Sequence, residues 1–187
     1  MAESRNNVII QGLSGKFGES VVFRQIGGKT FASEPPGPRT KEGTPGMKAQ
    51  RSRFQQATVY GKYMMTDPSS KAAYKAVAPE GKTAYNMAVA DFLLGPDINE
   101  IDLSAYTGRA GDIIRIQVTD DFNVASVTVA IQNEEGTMQE EGDAVRDANP
   151  LDWFYTATSD NLSLYGDKIT ITARDNPDNL TSAEKMM

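Results

Sequence analysis

Asp112-Ile113-Ile114-Arg115-Ile116-Gln117-Val118-Thr119 is the stretch that decides how this chain folds. From Ile114 onward, apolar and polar residues alternate: Ile114, Ile116 and Val118 share one face, and Arg115, Gln117 and Thr119 share the other. Period two marks a strand with one side in a core and the other in water. The pattern returns further along. Val127, Val129 and Ile131 oppose Ser126, Thr128 and Ala130, then Trp153, Tyr155 and Ala157 oppose Phe154, Thr156 and Thr158, and Ile169, Ile171 and Ala173 form another inward face. A first strand opens at Ile101-Asp102-Leu103, and Tyr106 to Asp112 is a turn punctuated by Gly108 and Gly111. Strands that are each half polar bury their apolar sides by packing two sheets face to face, so residues 97–187 read as an all-β sandwich.

Working outward, charge changes together with texture. Residues 1–53 hold nine Lys or Arg against four Asp or Glu, residues 54–99 hold four of each, and residues 100–187 hold six against seventeen. A basic end, a neutral middle and an acidic end imply a modular chain. At the N-terminus, Val8-Ile9-Ile10 is a short apolar run, and Gly12-Leu13-Ser14-Gly15-Lys16-Phe17-Gly18 reads as a tight irregular turn. That string lacks P-loop spacing and runs into a strand, not a helix N-terminus, so it is no phosphate cradle. Two strands, Glu19–Gln25 and Lys29–Ser33, flank Ile26-Gly27-Gly28 and predict a β-hairpin within an arm spanning residues 1–34. An isolated hairpin is marginal in water, so this arm needs something to pack against. Residues 35–46 carry four prolines and three glycines, which predicts an extended connector. Fully drawn out, it reaches up to about 40 Å.

Residues 47–96 change period again. Phe54, Ala57, Tyr60 and Met64 recur at helical spacing over Met47–Met65, Asp67-Pro68 starts a second helix that Pro79 stops, and Thr83 caps a third bearing Tyr85, Ala88, Val89 and Phe92. Basic residues interleaved with Phe54, Tyr60, Tyr63 and Tyr74 raise a nucleic-acid reading. Zero net charge over residues 54–99 and a net charge of −6 for the whole chain argue against it, because duplex binding needs a concentrated basic face. The expected fold class is α+β in several parts: hairpin arm, three-helix segment and immunoglobulin-like sandwich.

The chain has no histidine and no cysteine, which removes the usual general base near neutral pH, thiolate chemistry and disulfides. The pairs Asp120-Asp121, Glu134-Glu135 and Glu140-Glu141 read as solvated acidic surface, since neighbouring strand residues point to opposite faces. No enzymatic activity and no small-molecule substrate are expected. No apolar run is long enough to span a bilayer, and Met1 to Asn7 lacks the apolar stretch of a secretory signal, so no membrane partner is expected either.

The order Gly111-Asp112-x-Ile114-x-Ile116, Val124-x-x-Val127-x-Val129, Trp153-x-Tyr155-x-Ala157 and Asp167-x-Ile169-x-Ile171-x-Ala173-x-Asp175-x-x-Asp178-Asn179 resembles bacterial immunoglobulin-like domains. In those domains an aromatic strand precedes a closing A-x-D-x-x-G-N turn; here Asp178 stands where glycine is usual, a place a left-handed aspartate can fill. The Gly12-Leu13-Ser14-Gly15-Lys16 string with Val22-Phe23-Arg24-Gln25 is similar to uncharacterised bacterial proteins of the same layout. The resemblance implies binding or structure: spacers, adhesins, tube and capsid decorations, filament subunits. Related cell-surface modules hold calcium at one end of the sandwich, which makes Asp120, Asp121, Asp175 and Asp178 the calcium candidates, with no other cofactor expected.

Together these features predict a non-enzymatic structural protein that assembles in the cytoplasm, by itself or onto a filament, phage capsid, tail or related apparatus, and ends up in a virion or extracellular particle. Its basic arm would dock on the acidic sandwich of a neighbouring subunit, by strand addition or by packing on its helices. Val8, Ile9, Ile10, Val21, Phe23, Arg24 and Phe31 would form the interface. The alternatives are a module that binds carbohydrate or protein through Phe122 or Phe154, and a nucleic-acid-associated protein.

Overall fold

The computed structural model describes residues 2–4, 8–37 and 43–187. Among them are twelve strands, all paired antiparallel in three four-stranded sheets, and three helices, an α+β layout with its β-rich part at the C-terminus. The chain divides into two compact units, Met1–Ala49 and Gln50–Met187.

The first unit is a sheet of four strands. Strands β3 (Val21–Ile26) and β4 (Lys29–Ser33) form the expected hairpin, with Ile26 ending β3 instead of opening the turn. Gly27 and Gly28 both take positive φ, 57° and 74°, as a two-residue turn matched to strand twist requires. Two strands flank this pair, giving the order β1-β4-β3-β2 with β1 at Ala2–Ser4 and β2 at Gly15–Phe17. The glycine-rich string is therefore a strand in part, because Gly15, Lys16 and Phe17 align with Phe23, Val22 and Val21. The hydroxyl of Thr30 accepts hydrogen bonds from Gly12 N (3.1 Å) and Gln25 Nε2 (2.7 Å), tying the loop ahead of β2 to the sheet.

The connector is shorter than residues 35–46. Helix α1 (Pro45–Met64) begins inside it, with Thr44 Oγ1 accepting from Met47 N at 3.3 Å and Pro45 in the first turn, where its missing N–H costs nothing. Residues 38–42, the middle of the expected connector, lie outside the described residues.

In the second unit, α2 (Pro68–Val77) and α3 (Ala84–Leu93) start where their caps predict. Ser70 N donates to Asp67 Oδ2 at 2.8 Å, and Asn86 N donates to Thr83 Oγ1 at 3.2 Å. The apolar stripe of α1 is narrower than its spacing predicts. Phe54 is 52% exposed, and only Ala57 and Gly61 are buried. At Gly61 a methyl group would sit 2.8 Å from Val89 Cγ2, so α1 meets α3 through a glycine and leaves its first turns uncovered. The buried face of α3 is Ala84, Met87, Ala88 and Asp91, rotated from the expected stripe.

The sandwich holds eight strands. One sheet runs β5 (Asp97–Asp102), β6 (Ile113–Thr119), β10 (Asp152–Thr156), β9 (Val145–Arg146), and the other runs β12 (Leu180–Met186), β11 (Lys168–Asp175), β7 (Val124–Gln132), β8 (Met138–Asp143). Their inward faces share one core. Ile114, Ile116, Val118, Trp153 and Tyr155 from the first sheet meet Val127, Val129, Ile131, Ile169, Ile171 and Ala173 from the second. Each of the buried isoleucines and valines contributes roughly 1.5–3 kcal/mol by leaving water. The inward sets are those that the alternation predicts. The first strand differs: it starts four residues earlier, at Asp97, and ends before Leu103.

Candidate functional site

Beneath the helices three carboxylates converge. Asp91 comes from the last turns of α3, Asp120 from the turn after β6, and Asp175 from the end of β11, and one oxygen of each lies within 4.8 Å of the others. Asp91 and Asp175 are each 1% exposed.

Local structure holds each group in place. Tyr74 on α2 donates its hydroxyl to Asp91 Oδ2 at 2.6 Å, and the Tyr60 and Tyr74 hydroxyls lie 3.0 Å apart. Asp120 Oδ2 accepts from Phe122 N (3.3 Å) and Asn123 N (2.8 Å) and so closes the β6–β7 turn. Asp175 accepts from Asn179 N and Asn179 Nδ2, both at 2.7 Å. Asn179 Nδ2 also reaches Asp91 O (3.1 Å) and Leu94 O (3.0 Å), so the β11–β12 turn grips the C-terminal end of α3. The grip depends on Asp178, the one non-glycine with positive φ among the described residues, at 68°. The closing motif thus has a physical task here, which is to seat a helix on the sandwich.

The electrostatics are unfavourable as they stand. Two like charges 4.8 Å apart repel by about 3.5 kcal/mol at an effective dielectric constant of about 20. Burial pushes the Asp91 carboxyl up to about 7; the Tyr74 hydrogen bond opposes this, and the charges of Asp120, Asp175 and Asp121 add to it. Burial also raises Asp175, against the hydrogen bonds from Asn179. Oδ1 of Asp91 and Oδ1 of Asp120 are buried without a hydrogen-bond partner. Such a set can share a proton or hold a cation.

The expected calcium set is therefore partly redrawn. Asp120 and Asp175 come together, but Asp121 and Asp178 are exposed and stand outside the cluster, their places taken by Asp91. Asp91 was not singled out in the sequence. Its one signal is its setting in the apolar run Ala88-Val89-Ala90-Asp91-Phe92-Leu93-Leu94. A cleft of about 630 Å³, lined in part by Arg53, Asp97, Asp120, Asp121 and Asn179, opens beside the cluster.

The other expected surfaces have these settings. Phe122 is no exposed platform, because its ring stacks on Tyr74 with centroids 4.0 Å apart and planes at 22°. Phe154 is half-buried on β10. Of the paired acids, Glu140 is buried and Glu141 exposed. The Glu140 carboxylate accepts from the Tyr155 hydroxyl, from Thr158 N (2.6 Å), and from Ser159 N (3.2 Å) and Oγ (2.8 Å). In the first unit, Val8 and Ile9 are 85% and 86% exposed, Arg24 is exposed, and Ile10, Val21, Phe23 and Phe31 are half-buried. Among the described residues, no helix is long and apolar enough to cross a membrane.

No family model matches this chain, and no curated protein matches it. Among solved structures, CopC from Methylosinus trichosporium OB3b is similar at 14% identity and a TM-score of 0.37, over 48% of this chain and 87% of that one.

Proposed function

We propose that this chain is a non-enzymatic structural protein whose N-terminal unit docks on the acidic sandwich of a neighbouring copy, building a filament or decorating a larger particle such as a phage capsid or tail. One observation carries the reading: among the described residues of Met1–Ala49 only Thr30 is buried, while Val8, Ile9, Phe17 and Ile26 are each more than half exposed. A four-stranded sheet without a core of its own is stable when another surface covers it. Charge supplies the occupant, because the basic first 53 residues complement the acidic residues 100–187. A contact of this head-to-tail kind is heterologous and propagates into rings or open filaments.

The sandwich fits the same role as an immunoglobulin-like module. Its strand orders, β5-β6-β10-β9 and β12-β11-β7-β8, correspond to the A-B-E-D and G-F-C-C′ sheets of that fold. It does so without the inter-sheet disulfide, since the chain has no cysteine.

Sedimentation velocity tests the assembly. The full chain is expected to form oligomers at low salt that dissociate as salt rises, and a chain starting at Thr44, which keeps the cap of α1, is expected to stay monomeric. A full chain that remains monomeric at about 1 mM in low salt sinks the reading, since each 1.4 kcal/mol of docking energy is a tenfold gain in association.

A further inference from the structure

We propose that Asp91, Asp120 and Asp175 bind a divalent cation, calcium by size and ligand chemistry, that staples α3 to the sandwich. The cluster alone would not support this. The second observation is Asp91 itself, which is 1% exposed yet leaves Oδ1 without a partner. Tyr74 occupies its Oδ2, and Phe122 N and Asn123 N occupy Oδ2 of Asp120, so Asp91 and Asp120 each have a buried Oδ1 left over, while both oxygens of Asp175 accept from Asn179 and keep lone pairs for a cation. Asp167 provides the contrast. It too is buried with an orphan Oδ1, but it belongs to no such cluster among the described residues, so a single water suffices there.

Spacing and chemistry agree with calcium. Calcium takes six to eight oxygen ligands at about 2.3–2.6 Å, so two of its ligands lie at most about 5 Å apart, and the three oxygens here fall inside that limit at 4.8 Å. Three carboxylates leave the remaining positions to water, which reaches Asp120 from the cleft it lines. The three side chains offer only carboxylate oxygen, a hard ligand, and the chain has neither cysteine nor histidine to add a thiolate or an imidazole. The site lies within Gln50–Met187 and does not depend on the assembly reading.

The test uses the full chain stripped with a chelator and then titrated with CaCl2 or MgCl2 to about 10 mM, followed by calorimetry and thermal unfolding. One calcium per chain and a rise in Tm are expected, with calcium bound more tightly than magnesium. Asp91→Asn and Asp120→Asn, made separately so that one misfolded variant does not decide the matter, should each weaken binding at least about tenfold. Tyr74→Phe, which removes the hydrogen bond that orients Asp91, should weaken it about 10- to 100-fold. Asp167→Asn should bind as the natural chain does. The proposal is overturned if neither ion gives heat or a Tm shift, if magnesium binds more tightly than calcium, or if both cluster variants bind calcium like the natural chain.

Discussion

The N-terminal sheet and either sheet of the sandwich have the same number of strands, yet they solve the burial problem differently. The sandwich sheets face each other, and Ile114, Ile116, Val127, Val129, Ile169 and Ile171 all reach 0% exposure. In the N-terminal sheet the half-buried Val21, Val22 and Phe23 sit on consecutive positions, and among the described side chains the most enclosed is a threonine. Strand pairing alone does not make a core; a second apolar face does. The sandwich is the self-sufficient region, and the sheet of Met1–Ala49 is the region whose stability should follow whatever covers it.

The comparison breaks most plainly under truncation of matched apolar residues. Ile171→Ala, in the centre of β11, should cost about 3 kcal/mol, the lost transfer energy plus the cavity, read from urea unfolding. Phe17→Ala, at a residue 73% exposed, should stay within about 0.5 kcal/mol in dilute solution. A cost for Phe17→Ala near that of Ile171→Ala would mean that the edge strand β2 is already covered in the monomer, and the contrast between the regions would collapse.

A second variant asks what the sandwich does for the helices. Asn179→Ala removes a side-chain amide whose two N–H groups are shared among Asp175 Oδ2 and the carbonyls of Asp91 and Leu94. With the carbonyls at the end of α3 left unmet, a loss of about 2 kcal/mol is expected in chelator-treated protein. Hydrogen exchange would sharpen the result. Amides of α3 should lose protection more than those of β7, and an equal loss in both would mean that the turn braces the whole sandwich and not the helix.

How far the fold was legible follows from where burial writes period two. β6, β7, β10 and β11 each have a partner sheet over one face and a solvated outer face, so their inward residues could be read directly. β12 and β8 could not. β12 buries no residue, and β8, Met-Gln-Glu-Glu-Gly-Asp, turns only Glu140 fully inward, so both are held by backbone pairing to β11 and β7 and carry no apolar stripe. β2 was hidden because glycine is a poor strand former and its strand is three residues long. The candidate site was half legible for a related reason. Asp120 and Asp175 sit at strand ends, where carboxylates invite notice, while Asp91 is a helix residue whose role exists only after α3 packs on the turn. Asp121 and Asp178, candidates because the turns at one end of the sandwich could converge, are exposed in those turns, Asp121 in the bend after β6 and Asp178 in the left-handed conformation.

Glu140 makes the stability of the sandwich depend on pH. Burial pushes its carboxyl up, but the hydrogen bonds from Tyr155, Thr158 and Ser159 outweigh burial and hold it below the ordinary 4.5. A folded pKa below the unfolded one means that the carboxylate contributes fully above about 4.5 and loses its contribution as pH falls through the lower folded value. Glu140→Gln should therefore cost about 1–2 kcal/mol at neutral pH and progressively less in acid. Urea unfolding at a series of pH values checks this. A penalty that stays constant down to acid would assign the effect to packing against Tyr155 and not to charge. No comparable carboxylate is buried among the described residues of the N-terminal unit, so the contrast between the regions should narrow in acid from the sandwich side.

The smallest effect is expected at Asp178, and it tests the turn on which the helix grip depends. Its φ of 68° lies where a side chain is strained, but aspartate tolerates the left-handed region better than most residues. Replacing it with glycine removes the strain, gives the unfolded chain more freedom and loses an exposed contact with Arg174 at 3.4 Å that contributes little. These terms nearly cancel, so Asp178→Gly should change stability by no more than about 0.5 kcal/mol. Asp178→Ala has the strain without the side chain that eases it, and should fall about 1 kcal/mol below the glycine variant. The order of the two variants matters more than either value. If alanine matches glycine in thermal unfolding, residue 178 leaves the left-handed region in solution, and Asn179 cannot hold α3 through the geometry described.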